Sequence, residues 1–326
     1  MKKVLIWIIV AVFAVSLSFV GLGCKQEATT ETTAAATTAA ETTAAETTSA
    51  ETTAAAEEGP LEIYLLYADT TTHPFWRAQV DSVVPYAKEL GVNLTVLDAG
   101  NKVEQQTSQV ETVVTKKPDA VIYCAVDTGV AISHIAMMKE AGIPVVNNNR
   151  QVPGGAYDVQ FSFDEFDGAA ASANMIVDFL TAKYGEAKGK ILEMQGALTD
   201  ENAVIRSRGL YSVTDTNANI KVITKNTAWD LNKSAAAALD AFQASPDIDA
   251  IYLQSDYLLP TILSLVEDKP KVGEDGHIYV MSLSGDSLAL SLIRDNIIDV
   301  SFNMNVIQMA LLSLDFATFL SKYLPP

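Results

Sequence analysis

Several side chains in this sequence have the chemistry of a recognition site for a small polar molecule. Phe75, Trp76 and Trp229 offer flat aromatic faces. Asn149, Arg150, Arg206 and Asn303 offer planar hydrogen-bonding groups, and Asp69, Asp256, Ser255 and Ser284 offer short polar ones. His73 and Asp127 lie in the same runs. Aromatic faces suit the C–H faces of a ring. Planar amides and guanidinium forks match vicinal hydroxyls, which both donate and accept. A few converging polar groups between aromatic walls describe a binding site. Catalytic patterns are missing: there is no G-x-S-x-G, no P-loop and no H-E-x-x-H. Asp69 with His73 is too little for a hydrolase, so no enzyme activity is expected. Three His and two Cys argue against a zinc or multi-thiol site, and no cofactor or metal is expected. His134 and His277 read as structural residues and Cys124 as a buried strand residue.

The elements that position these residues alternate along the chain. Strands are expected at Leu61–Ala68, Val92–Leu97, Ala120–Val126, Ile143–Val146, Lys190–Met194, Lys221–Thr224, Ala250–Gln254, Ile278–Leu283 and Val300–Phe302. Between and after them, helices are expected at His73–Leu90, Gln105–Lys117, Val130–Ala141, Gly168–Tyr184, Val204–Thr216, Lys233–Ala244, Leu259–Glu267, Leu288–Asp295 and Gln308–Tyr323. Asp164 or Asp167 is the expected cap of the fourth helix. Short apolar strands alternating with helices predict an α/β fold of two doubly wound parallel-sheet lobes. Ligands of such sheets sit at the C-terminal ends of the strands. Every site residue named above follows a predicted strand.

The first 60 residues read differently. Met1–Lys3 are positive, Val4–Val15 are apolar, and Ser16–Gly23 are small and weakly polar. That is the layout of a signal peptide, 1–24. Gly21-Leu22-Gly23-Cys24 resembles a bacterial lipobox, with Gly21 where Leu is usual, and implies lipidation of Cys24. Residues 28–56 repeat ETTAA with small variations and contain no large apolar side chain that could repay ordering, so a flexible tether is expected over 25–60. With Cys24 lipidated, Cys124 has no disulfide partner. The formal net charge of −18 falls to −14 over residues 61–326, about 266 residues, enough for two lobes. A body this acidic, with no basic stripe, excludes a nucleic-acid partner.

Seven segments in order carry a family resemblance: Asp69–Trp76 (DTTTHPFW), Pro118–Asp127 (PDAVIYCAVD), Gly142–Arg150 (GIPVVNNNR), Arg206–Gly209 (RSRG), Trp229–Asp230, Pro246–Asp256 (PDIDAIYLQSD) and Val280–Gly285 (VMSLSG). Together they resemble type I periplasmic solute-binding proteins of the ribose- and galactose-binding family. The resemblance implies an N-terminal lobe of 61–163 plus 304–326 and a C-terminal lobe of 164–303. It implies hinges near Ser162–Asp164 and Asn303–Val306, with a ligand cleft between the lobes. By position, it implies ligand contacts at Asp69, His73, Phe75, Trp76, Asp127, Asn149, Arg150, Arg206, Trp229, Ser255, Asp256, Ser284 and Asn303, with Cys124 beside Asp127. Asn149 and Ser284 stand where sugar-binding members carry carboxylates, so the hydroxyl pattern differs from that of a simple pentose. The family also closes with a further crossover and strand, for which Leu324-Pro325-Pro326 leaves no sequence; a shortened C-terminus is expected.

The implied role is a monomeric, lipid-anchored, extracytoplasmic substrate-binding subunit of an ABC importer, with a sugar or similar polar solute as ligand and a membrane permease as partner. The alternative with the same fold is a sugar or autoinducer sensor that docks on a membrane receptor or kinase.

Overall fold

The computed structural model describes residues 59–323. The signal peptide, Cys24 and all but the last two residues of the tether lie outside the described residues. The described chain forms two five-stranded sheets, every registered strand pair parallel. The first contains β1 (Glu62–Tyr67), β2 (Asn93–Asp98), β3 (Ala120–Tyr123), β4 (Val145–Asn148) and β5 (Val159–Phe161), in the order β2-β1-β3-β4-β5. The second contains β6 (Lys188–Gln195), β7 (Asn219–Asn226), β8 (Ala250–Leu253), β9 (Tyr279–Ser284) and β10 (Val300–Asn303), in the order β10-β9-β8-β6-β7. Read from the opposite edge, the second order repeats the first. Each sheet therefore has its switch point beside its own first strand, which opens a crevice at the carboxyl ends.

Burial on both faces explains the parallel strands. β3 (AVIY) and β8 (AIYL) are fully buried, and alternate residues serve opposite faces. On the first sheet Ile63, Leu65 and Ile122 pack with Val83, Ala87 and Leu314. Leu66, Val121 and Tyr123 face Val110, Ile135 and Met138 on the other side. On the second sheet Leu192, Ile251 and Val280 pack with Ala238 and Leu292.

Helices α1 (Pro74–Glu89), α2 (Val103–Lys116), α3 (Thr128–Glu140) and α9 (Val306–Tyr323) belong to the first sheet, with α9 against α1, β3, β4 and β5. Helices α4 (Glu165–Tyr184), α5 (Glu201–Thr214), α6 (Leu231–Ala244), α7 (Leu263–Val266) and α8 (Ser287–Arg294) belong to the second. Five aspartates cap helix starts: Asp127, Asp164, Asp200, Asp230 and Asp286 each accept backbone N–H groups of a first turn. Asp164 is the cap of α4, one of the two expected candidates.

Two elements depart from the sequence expectation. β5 was not expected; its three residues are half-exposed and carry no apolar run. The helix expected at Leu259–Glu267 is a 3₁₀ turn at Asp256–Thr261 followed by the single turn of α7. Pro260 inside the turn has no N–H to continue an α-helix.

The chain passes between sheets after β5 and after β10. The two crossings touch through Phe163 and Phe302, whose rings meet edge to face at 5.6 Å. Within the second lobe α4 and α5 cross at Gly209, where an added Cβ would lie 2.5 Å from Phe166 O and 2.8 Å from Ala169 Cβ. In an exposed helix Gly→Ala stabilises by up to about 1 kcal/mol. Here Gly209→Ala is expected to destabilise by about 1–3 kcal/mol, because backbone must move. Urea denaturation measures the sign; a stabilised variant would contradict the close crossing.

Candidate functional site

The strand ends of both sheets face one another across a narrow cavity. The first lobe contributes His73, Phe75, Trp76, Asn149 and Arg150; the second contributes Asp200, Arg206, Trp229, Ser255 and Ser284; Met304 closes it from the second crossing.

The aromatic walls are fixed by packing. Pro74 begins α1 at a first-turn position, so Phe75 and Trp76 project from its N-terminal turn. Trp76 is 4% exposed, packed on Tyr67 at 5.3 Å and Phe75 at 4.6 Å. Trp229 stands opposite, in a turn where both Ala228 and Trp229 have left-handed backbone, φ 53° and 57°. Thr227 holds that turn: its N and Oγ1 both donate to Gln195 O at 2.8 Å. The indole lies over Gly196, where a Cβ would fall 2.0 Å from the ring. Asn149 and Ser284 also have positive φ, 61° and 140°. Four non-glycine residues in rare conformations around one cavity mark a place where backbone strain is held by its surroundings.

Both guanidinium groups are buried, each about 5% exposed. Arg206 Nε donates to Glu165 Oε2 at 2.6 Å, and its Nη1 donates to Gln254 O at 2.8 Å. Glu165 is 1% exposed. Burial pushes its carboxyl pKa up, and Arg206 opposes that rise. Arg150 Nη1 donates to Ala125 O and Val126 O at 2.7 and 2.8 Å. Its Nε lies 2.9 Å from Asp200 Oδ2, within ion-pair range but off the line of a hydrogen bond. Two cations and two carboxylates therefore cancel in the site.

His73 keeps a partly accessible edge, yet protein surrounds its ring. It stacks on Tyr257 of the other lobe at 4.1 Å, and its Nδ1 is buried without a partner. Burial, then Arg150 and Arg206, lower its pKa from 6.5 to about 3. The imidazole is neutral and can accept as well as donate.

Nine of the sequence-predicted residues are thus brought together: His73, Phe75, Trp76, Asn149, Arg150, Arg206, Trp229, Ser255 and Ser284. Four are not on the cavity wall. Asp69 turns back on its own loop and accepts from Thr71 N and Thr72 N. Asp127 caps α3. Asp256 is a buried bracket that accepts from Asp286 N and Ser301 Oγ. Asn303 Oδ1 accepts from Asn305 N on an exposed turn. Sequence reasoning missed Asp200 and Met304 on the wall, and Glu165, Gly196 and Tyr257 behind it. For Asp200 a signal existed, an Asp just before a helical stretch.

The residues read as structural are structural. His134 lies within hydrogen-bond range of Thr107 and Tyr123, and His277 of Pro270 O and Asp299. Cys124 is fully buried, and burial pushes its thiol pKa up to about 12.

A two-lobed protein whose two chain crossings flank a polar, aromatic-walled cleft is a solute binder of the type I periplasmic class. Residues 63–322 match the family described as periplasmic binding protein domain, and the chain belongs to that family. It is 26% identical to the ribose import binding protein of Bacillus subtilis (strain 168) over 71% of this chain and 72% of that one. It is also 26% identical to the D-apiose import binding protein of Actinobacillus succinogenes, over 64% and 68%. Among solved structures it superimposes on an ABC transporter solute-binding protein from Mycobacterium smegmatis with bound glycerol, TM-score 0.73 and 22% identity, covering 81% and 89%. A solute-binding protein from Bacillus halodurans with bound myo-inositol gives TM-score 0.72 and 21% identity, covering 81% and 90%.

The His73 pKa has a signed consequence. Any state that exposes the ring returns it toward 6.5 and binds the proton first. Its neutral, buried form therefore contributes no pH dependence above 6.5 and loses stability as pH falls from 6.5 toward 3. The ¹⁵N shifts of His73, assigned with His73→Asn, are expected to remain those of neutral imidazole near pH 5, where an ordinary histidine is mostly charged. A protonated ring at that pH would contradict the burial.

Proposed function

We propose that this chain is the extracytoplasmic substrate-binding lipoprotein of an ABC importer, and that its lobes close over a neutral polyhydroxylated solute, a sugar or sugar alcohol. The observation that carries the reading is a charge-balanced cavity lined by one indole from each lobe. Trp76 and Trp229 suit the C–H faces of a ring. Arg150, Arg206 and Asn149 supply donors, and Asp200, Ser255, Ser284 and His73 supply acceptors. Because Glu165 and Asp200 already neutralise the guanidinium groups, an anionic solute has no uncompensated cation to meet. Relatives named for import of ribose and D-apiose and for xylitol binding support this solute class.

Opening and closing use the two crossings as hinges, Ser162–Asp164 and Asn303–Val306. Closure buries the solute and aligns the outer surfaces of both lobes for a membrane permease. The protein acts as a monomer tethered by lipid on Cys24. The tether gives the binding lobes reach above the membrane surface.

Calorimetry against neutral aldoses, pentitols and inositols is expected to find one class that binds. Tight binding of an amino acid, peptide or organic anion with no response to any polyol would contradict the assignment. Arg206→Ala strands Glu165 as a buried, unpaired carboxylate and is expected to destabilise the protein by about 3–5 kcal/mol, read by chemical denaturation. Cys24→Ser is expected to abolish labelling by radioactive palmitate and to release the protein from the membrane fraction; unchanged labelling would contradict the anchor.

A further inference from the structure

Asp200 is the one carboxylate on the cavity wall among the described residues. It sits at the N-cap of α5, where Oδ1 accepts from Asn202 N at 3.0 Å. Its other oxygen, Oδ2, accepts from Trp229 Nε1 at 3.0 Å and lies 2.9 Å from Arg150 Nε of the facing lobe. One carboxylate thus touches the cap, the indole wall and the opposite lobe. The seam continues on either side. Thr128 N and Oγ1 each donate to Thr199 O at 3.0 Å, and Gln151 N donates to Asn202 Oδ1 at 3.1 Å.

The two guanidinium groups are neutralised in different ways. Glu165 stands behind Arg206, within the same lobe and away from the cavity wall. Asp200 reaches Arg150 only across the cleft, so that cancellation exists only while the lobes are together. Without it, the closed cavity would hold one uncompensated guanidinium and the positive end of α5. Beside them Asn149, 4% exposed, carries a buried Nδ2 with no partner, a free donor on the same wall. Such a cavity would recruit an anion, because a buried cation needs a partner.

We propose that Asp200 sets the charge class of the solute: by bridging the lobes it cancels Arg150 and makes the closed cleft accept a neutral hydroxyl-bearing solute over its anionic counterpart. This rests on the neutral-polyol reading above.

The test compares D-glucose, D-galactose and D-ribose with D-glucuronate, D-galacturonate and D-ribonate, by calorimetry on wild-type protein and on Asp200→Asn. The asparagine keeps one acceptor, which serves Asn202 N at the cap, and places an amide NH₂ where Oδ2 met the indole, so the charge is removed together with the indole's acceptor. The preference for neutral over acidic partner is expected to shift toward the acid by about tenfold or more, and the gained binding is expected to weaken with added salt. A purely structural role would lower both affinities by the same factor, so a smaller shift overturns the assignment. Asp200→Ser, which also keeps a cap, gives the same readout should the asparagine variant fail to fold. A wild-type protein that binds no neutral aldose, pentitol or inositol overturns the polyol reading, and this inference with it; where the neutral ligand is a polyol other than these three sugars, that polyol and its own carboxylate analogue form the tested pair. Wild-type binding with an unshifted variant overturns the inference alone.

Discussion

Two buried guanidinium groups govern this structure. A cation taken out of water costs several kcal/mol unless a partner and hydrogen bonds replace its hydration. Arg206 obtains them from Glu165 and the Gln254 carbonyl within its own lobe. Arg150 obtains backbone carbonyls from its own lobe, but its carboxylate comes from the other. The second lobe is therefore complete by itself, whereas the first is complete only when the cleft is closed. That asymmetry links the chemistry of one side chain to the motion of the whole molecule.

The same constraint reaches outward through the packing. Glu165 opens α4 and Arg206 lies on α5, so their ion pair ties the two helices where Gly209 lets them approach most closely. Gln254 ends the strand segment beside β8, where its side chain bonds Glu193, Ala203 O and Ser207 while its carbonyl receives Arg206. Its Oε1 accepts from Gly196 N, the residue beneath Trp229. A cation, an aromatic wall and the sheet floor are thus held by one buried polar network, which is stable because nearly all of its members are satisfied.

The fold was legible because its signals are local. Runs such as AVIY and AIYL, each followed by a helical stretch, leave few arrangements besides parallel sheets wrapped by helices. What escaped was β5, too short and too exposed to show an apolar pattern, and the 3₁₀ turn that Pro260 imposes. The site was legible in its aromatic residues and arginines, whose types are costly to place at strand ends without a use. The acidic residues were not legible. Asp69, Asp127 and Asp256 follow strands as Asp200 does, but three of the four satisfy backbone or hydroxyl groups of their own lobe, and only Asp200 faces the cavity. A strand-end Asp can cap a helix, close a loop or meet a solute. Which of these it does depends on backbone geometry that spacing does not encode.

If the lobes close over a neutral polyhydroxylated solute, the protein carries that solute out of the cell that made it. Native mass spectrometry of the protein, purified from cells grown in rich medium and never exposed to added ligand, tests this directly. A single adduct is expected, lost on unfolding, whose accurate mass is that of an uncharged compound of carbon, hydrogen and oxygen alone. An adduct containing nitrogen, sulfur or phosphorus, or one carrying its own carboxylate, would contradict it.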